Sequence, residues 1–313
     1  KLMGHVGQEL GLVFRRPREL IRLFLLILAA LILRPVGFKY RSKREDPRWR
    51  STWDWALFIG GFVPALIFGV AVGNVLQGVP FYLSEELRPF YEGGFFGLLN
   101  PFALLCGLLS VAMLVMHGGA WLGLKATGMV AVRARRFGMM AALAVIVLFA
   151  LGGVWVWLGI DGYRITAGIT PDMASNPLRK QVVVEAGVWL TNYGTYPWMM
   201  IAPAMGFLGA LGAFLGLARQ REVSTFLFSK ISVVGIISTV GLSMFPFILP
   251  SSIDPRSSLT VWDSGSSHST LFNMLVATAI FLPIVLAYTS WVYKVLWGKV
   301  TARDIEDSQD TAY

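Results

Sequence analysis

Seven mostly apolar stretches, at about 20–33, 53–76, 98–124, 138–160, 197–218, 226–250 and 270–292, constrain this 313-residue chain more than any other feature. A bilayer's hydrocarbon core is about 30 Å thick and takes roughly 20 apolar residues of α-helix to cross. Helices suit that setting because each backbone N–H and C=O in lipid must be bonded within the protein. The first stretch is the weakest, since Arg22 leaves only a short clean core before Arg34 and Pro35. Little chain remains between the stretches for a soluble domain, and no internal repeat is visible. The sequence therefore predicts an all-α polytopic membrane protein of about seven transmembrane helices arranged in helical bundles. Composition agrees: 14% of the residues are charged, where a soluble globule carries about 25%, so much of the surface faces the lipid bilayer.

The net charge of +9 does not point to nucleic acid, because the basic residues form short blocks between apolar runs. Lys and Arg number seven in 34–52, four in 125–137, three in 219–230 and three from 294 onward; the alternate gaps hold one, three and one. By the positive-inside rule the basic gaps and the C-terminus face the cytoplasm. The long loop 161–196 and the Ser-rich loop 251–269 then face outward. Residues 1–19 would also lie outside, which is the wrong side for Arg15, Arg16 and Arg18. Either the first stretch is not properly inserted or the opening residues are not its native lead-in; on the second reading the chain divides into an atypical opening, 1–22, a transmembrane helical domain, 23–296, and a cytoplasmic tail, 297–313.

Few side chains offer chemistry. A haem or metal site wants two ligands at matching depth, but His5 lies in the atypical opening and His268 in an outer loop. That leaves His117 alone inside a span, where hydrogen-bonded packing is the simpler role. Cys106 reads as a small hydrophobe. No nucleotide, acyl-transfer or zinc-hydrolase motif occurs. Gly69 and Gly73, and Gly206, Gly209, Gly212 and Gly216, form small-residue seams suited to close helix packing. Asp161-Gly162-Tyr163 reads as a turn where a helix leaves the membrane.

Pro246 and Pro250 should break a helix near the outer face, and the freed carbonyls need partners. The following loop supplies Ser251, Ser252, Trp262 and Asp263. These residues serve either as an interfacial anchor with an N-cap for the last helix, or as a face toward a partner subunit or a quinone headgroup. Arg34 and Asp54, charged groups near helix ends, are further interface candidates. Trp49, Trp53 and Trp55 read as headgroup anchors.

Taken in order, RPVGFKYRSK, WDWALFIGGFVPALIFGVAVGNVLQGVPF, LLNPFALLCGL, LFALGGVWVWLGIDGY, SNPLRKQVVVEAGVWL, MFPFILPSS, SSLTVWDSGSSHSTL and a tail with VTARDIED resemble the second subunit of cytochrome bd quinol oxidases. The resemblance runs from about residue 31 to the C-terminus. It implies a partner, the first subunit, that carries two b-type haems and the d-type haem, oxidises quinol near the outer face and reduces O2 to water with cytoplasmic protons. It implies that the second subunit lacks haem ligands, stabilises the haem subunit and shapes access for protons or oxygen. A structural quinone in some members and a small accessory subunit complete the implied cofactors and partners, in a bacterial inner membrane. The family has nine spans, two of them ahead of the stretch ending at Arg34, and the acids tied to proton delivery lie in those two. Residues 1–22 do not resemble the family's third span, and Lys39 stands where members often carry an acid. Two other readings compete. A secondary transporter predicts repeat symmetry and midplane polar groups, neither of which the sequence shows; a non-catalytic assembly scaffold, or an inactive truncated fragment, is the other.

Overall fold

The computed structural model describes residues 18–168 and 176–301, without the side chains of 18–24. His5, most of the atypical opening 1–22 and most of the tail 297–313 lie outside the described residues. Seven long helices occupy the seven stretches: α1 Arg18–Arg41, α2 Pro47–Gln77, α3 Pro101–Lys125, α4 Gly128–Gly159, α5 Ile201–Ala218, α6 Glu222–Met244 and α7 His268–Val295. Each of α2 to α7 is long and apolar enough to cross a membrane, α5 together with the 3-10 turn Pro197–Met200 before it. Three short antiparallel hairpins join helices at one end: β1 Phe81–Leu83 with β2 Pro89–Tyr91, β3 Asp161–Ala167 with β4 Gln181–Ala186, and β5 Phe247–Leu249 with β6 Leu259–Thr260.

Local sequence explains three of the helix starts. Asp46 accepts from Arg48 N ahead of Pro47, and Asn100 Oδ1 accepts from Ala103 N at 2.8 Å ahead of Pro101. Each is an oxygen cap followed by a proline whose missing N–H costs nothing there. Ser267 accepts from Thr270 N at 3.4 Å to open α7. At the basic end α1, α2 and α4 run past their apolar cores, because a helix needs no apolar residues once it reaches the headgroups.

The helix in the stretch 226–250 breaks where its prolines predict: α6 stops at Met244, and Pro246 and Pro250 leave only the short strand β5 between them. One expectation is corrected. Asp161-Gly162-Tyr163 is no turn but the start of β3, in register with Ala186, Glu185 and Val184 of β4. The β-branched run after Lys180 gives that segment a partner the turn reading overlooked.

α3 to α6 form a four-helix bundle, with α2 packed on α3 and α1 on α2. Lipid gives little hydrophobic drive for helix association, so close backbone approach and interhelical hydrogen bonds hold such bundles. The glycine seams supply the approach. A Cβ on Gly69 would stand 2.7 Å from Gly107 Cα, and one on Gly209 2.7 Å from Ser232 Cα. Ser232 Oγ also donates to Gly206 O at 2.9 Å across α5 and α6. Between the seams Leu109, Met116, Ala142, Val145, Ala213 and Ile236 make the bundle's core.

α7 is different. None of its residues is buried, and it is held at its C-terminal end. There Lys125 Nζ donates to Leu296 O at 2.7 Å, Val300 N donates to Lys125 O at 2.7 Å, and Lys299 pairs with Glu222 at 2.5 Å.

Candidate functional site

Where α2, α4 and α6 end and α3, α5 and α7 begin, the three hairpins interlock into a cap. Its centre is Trp189. Gly187, at φ +75°, turns the chain out of β4 in a left-handed conformation that suits glycine. Trp189 then points inward, buried among Leu76, Phe102, Tyr163 and Phe247, and its indole Nε1 donates to Leu76 O at 3.0 Å. That bond satisfies a carbonyl in the last turn of α2. Asn192 does the same for α6. Its Nδ2 is shared among Leu242 O at 3.0 Å, Ser243 O at 3.2 Å and Phe245 O at 2.7 Å, the carbonyls freed when Pro246 ends the helix. Tyr193 OH meets Ser243 Oγ at 2.8 Å beside them. Burial pushes the Tyr163 phenol up to about 12, with the Asp161 charge adding to it.

The loop after α6 is sewn to the hairpin after α2. Val79 N donates to Pro250 O at 2.8 Å, Ser252 N to Val79 O at 3.0 Å, and the buried Ser251 hydroxyl to Phe81 O. Behind this seam lies an ion pair. Lys180 Nζ reaches Asp263 Oδ2 at 2.6 Å with the two side chains 0% and 6% exposed. Lys180 Nζ also donates to Pro177 O at 2.9 Å, and Asp263 Oδ1 accepts from Thr260 N at 2.7 Å. Both charges thus have hydrogen-bond partners, which a buried pair requires to be tolerated. Burial pulls the Lys180 ammonium below the ordinary lysine range, opposed by the hydrogen bond and charge of Asp263.

An open cavity of about 390 Å³ sits on the cap, walled by Tyr163, Arg164, Trp189, Asn192, Phe245 and Trp262 among others. Trp262 is 50% exposed and meets Phe245 edge-on at 5.8 Å. Arg164 is held by Glu185 at 3.0 Å. The walls are aromatic, and the polar groups between them are mostly neutral hydroxyls and amides. Such a surface can hold a flat ring or an apolar side chain.

The candidates read from sequence fall into two groups at opposite ends. Trp262 lines the cavity, Ser252 is exposed on the loop after α6, and Ser251 and Asp263 lie inside the cap, bonded within the chain. Arg34 and Asp54 are at the basic end. The Arg34 stem runs along Gly60 of α2, where a Cβ would come within 2.8 Å of Arg34 Cγ, and Asp54 pairs with Arg41 at 2.5 Å. Trp49 donates to Tyr40 O at 2.8 Å and Trp53 stacks on Tyr40 at 5.6 Å, so both brace the α1–α2 turn, while Trp55 faces outward. His117 Nδ1 meets Ser229 Oγ at 2.9 Å, and its ring stacks on Phe226 at 5.2 Å. His268 opens α7 at the other end, so the two cannot share a metal or haem. Lys180, Trp189 and Asn192 were not singled out from sequence. A lysine beside a strand, a tryptophan in a loop and an asparagine carry no periodicity, and only the residue types that freed carbonyls demand gave a hint.

The family model for cytochrome bd terminal oxidase subunit II matches residues 18–296 of this chain. The chain belongs to that family. Cytochrome bd-I ubiquinol oxidase subunit 2 of Escherichia coli K12 is 46% identical over 289 residues, which are 92% of this chain and 76% of that protein. A probable cytochrome oxidase subunit 2 of Haemophilus influenzae is also 46% identical, over 288 residues with the same coverage, 92% and 76%. The solved bd oxidase of Geobacillus thermodenitrificans shares the fold, with a TM-score of 0.51 at 15% identity, covering 88% of this chain and 74% of that one. Like its cytochrome bd relatives, this subunit II chain is a multi-pass inner-membrane protein.

Proposed function

We propose that this chain, a subunit of a cytochrome bd-type quinol oxidase, works as the supporting half of that complex. A partner subunit carries haems b and d, oxidises quinol near the outer face and reduces O2 to water with protons from the cytoplasm. This chain performs no catalysis alone. The observation that carries the reading is α7, apolar along its length and without a buried residue, a helix that lacks a protein neighbour to complete it. The described histidines, one at each end, favour placing the haems in the partner. The surplus of Lys and Arg at the end where α7 finishes supports a cytoplasmic C-terminus, which sets the hairpin cap on the outer side. There the cavity beside Trp262 and Phe245 suits a neutral flat ring, as a structural quinone would present, or a loop of the partner or of a small accessory subunit.

A photo-reactive amino acid placed at Leu275 on α7 tests the docking directly in the co-expressed complex. The expected product is a covalent adduct with the haem-bearing subunit. Adducts with lipid alone, from Leu275 and from further positions around α7, would contradict it.

A further inference from the structure

At the basic end of the bundle a cation and an apolar groove stand in line. Lys230 is on α6, and its ammonium lies over the Phe226 ring at 4.1 Å, one turn nearer the helix N-terminus. That is the direction in which helical side chains lean and in which a lysine extends to reach the headgroups. Glu222, the acid in the first turn of α6, is taken by Lys299 at 2.5 Å. Among the described residues the Lys230 ammonium has a ring for a partner, not a carboxylate. Trp121 of α3 lies 5.2 Å from the same Phe226 ring, with Lys125 over Trp121 at 5.5 Å.

Above this floor runs an exposed stripe on α6, Lys230, Val234 and Ile237, at helical spacing. It rises about 10 Å from lysine to isoleucine. The facing stripe on α3 is Trp121, His117, Met113 and Leu109, each four residues apart. Ile237, Met113 and Leu109 then wall an apolar cavity of about 310 Å³ with Phe68 and Val72 of α2 and Val240 of α6. A leaflet's acyl chain spans about half of the hydrocarbon core, roughly 15 Å, enough to run from the lysine into the cavity.

We propose that this groove between α2, α3 and α6 holds one anionic diacyl phospholipid, its phosphate on Lys230 and one acyl chain in the cavity. The cation at the base selects the occupant. A quinone headgroup is neutral and offers an ammonium only carbonyl hydrogen bonds, whereas a phosphate of net negative charge adds an ion pair to them. Trp121 and Lys125 flank the headgroup and join this corner to α7, through Tyr293 at 5.9 Å from Trp121 and Leu296 O on Lys125.

The test is lipid retention by the purified complex after exhaustive detergent washing, measured by mass spectrometry of the extract. The complex should keep a stoichiometric anionic phospholipid. Lys230→Gln should retain it about fivefold less well, Ile237→Trp should expel it by filling the cavity, and Trp262→Ala, at the far end, should change nothing. Unchanged retention in Lys230→Gln, equal loss of zwitterionic lipid, a quinone in its place, or a cross-link from Ile237 to a partner helix would each overturn the proposal. Lys230 and Ile237 are exposed, so neither variant threatens folding, and haem content checks assembly. Because the readout is lipid rather than turnover, its failure leaves the oxidase reading standing.

Discussion

Asp263→Ala is expected to loosen the outer cap, at a cost of about 3–5 kcal/mol. The carboxylate removed is one of a pair buried to 0% and 6% exposure, so the Lys180 amine would be left buried with only Pro177 O as an acceptor. Thr260 N would lose its acceptor at the same time. The segments joined by the pair, Pro177–Arg179 with β4 on one side and β6 with its following turn on the other, would separate and open the cavity beside Trp262. A double replacement, Lys180→Met with Asp263→Leu, should recover most of the loss, because two apolar side chains of similar size leave no unpaired charge. Thermal unfolding of the purified complex, followed by tryptophan fluorescence, measures both. An Asp263→Ala transition coincident with wild type would mean that the pair is not closed as described.

The second large effect lies in the bundle, where α6 offers its own control. A Cβ on Gly235 would stand 2.7 Å from the Met205 carbonyl carbon and 2.8 Å from Ala202 O, backbone atoms that cannot step aside without moving α5. Gly241, six residues further along the same helix, has nothing within 4 Å of such a Cβ. Gly235→Ala should therefore destabilise the bundle by about 1–3 kcal/mol through overpacking. Gly241→Ala should be neutral, or favourable by about 0.5–1 kcal/mol from the helix preference of alanine. Yield of folded protein in detergent and its melting temperature should fall for the first and hold for the second. Equal behaviour of the pair would remove backbone contact between α5 and α6 as what holds them together.

The helices were legible because a lipid-crossing segment must be long, apolar and continuous, and residues 53–76 or 270–292 have no other reading. The seams were legible too, since Gly206, Gly209, Gly212 and Gly216 share a face by spacing alone. Hidden was everything that depends on pairing across the chain. Lys180 and Asp263 are 83 positions apart, and a lone lysine after Pro177 looks like any loop cation until the fold brings the carboxylate to it. Asn192 is as opaque: Pro246 announces that carbonyls will be freed, but the sequence does not say which amide comes to them. Asp161-Gly162-Tyr163 was misread because a two-stranded hairpin is decided by its partner strand as much as by its own residues. The family resemblance carried the functional reading further than any single side chain, since the described residues hold no cluster of three metal-ligating groups on which chemistry could be argued.

We propose that this chain completes a quinol oxidase whose haems lie in a partner subunit. The most direct measurement is a reduced-minus-oxidised spectrum, with quinol-driven oxygen uptake, on material co-expressed with a haem-bearing first subunit and purified through a tag on this chain. A d-haem band with uptake is the result expected. Tagged chain recovered without haem, alongside a longer second subunit that brings haem through the same purification, would contradict it.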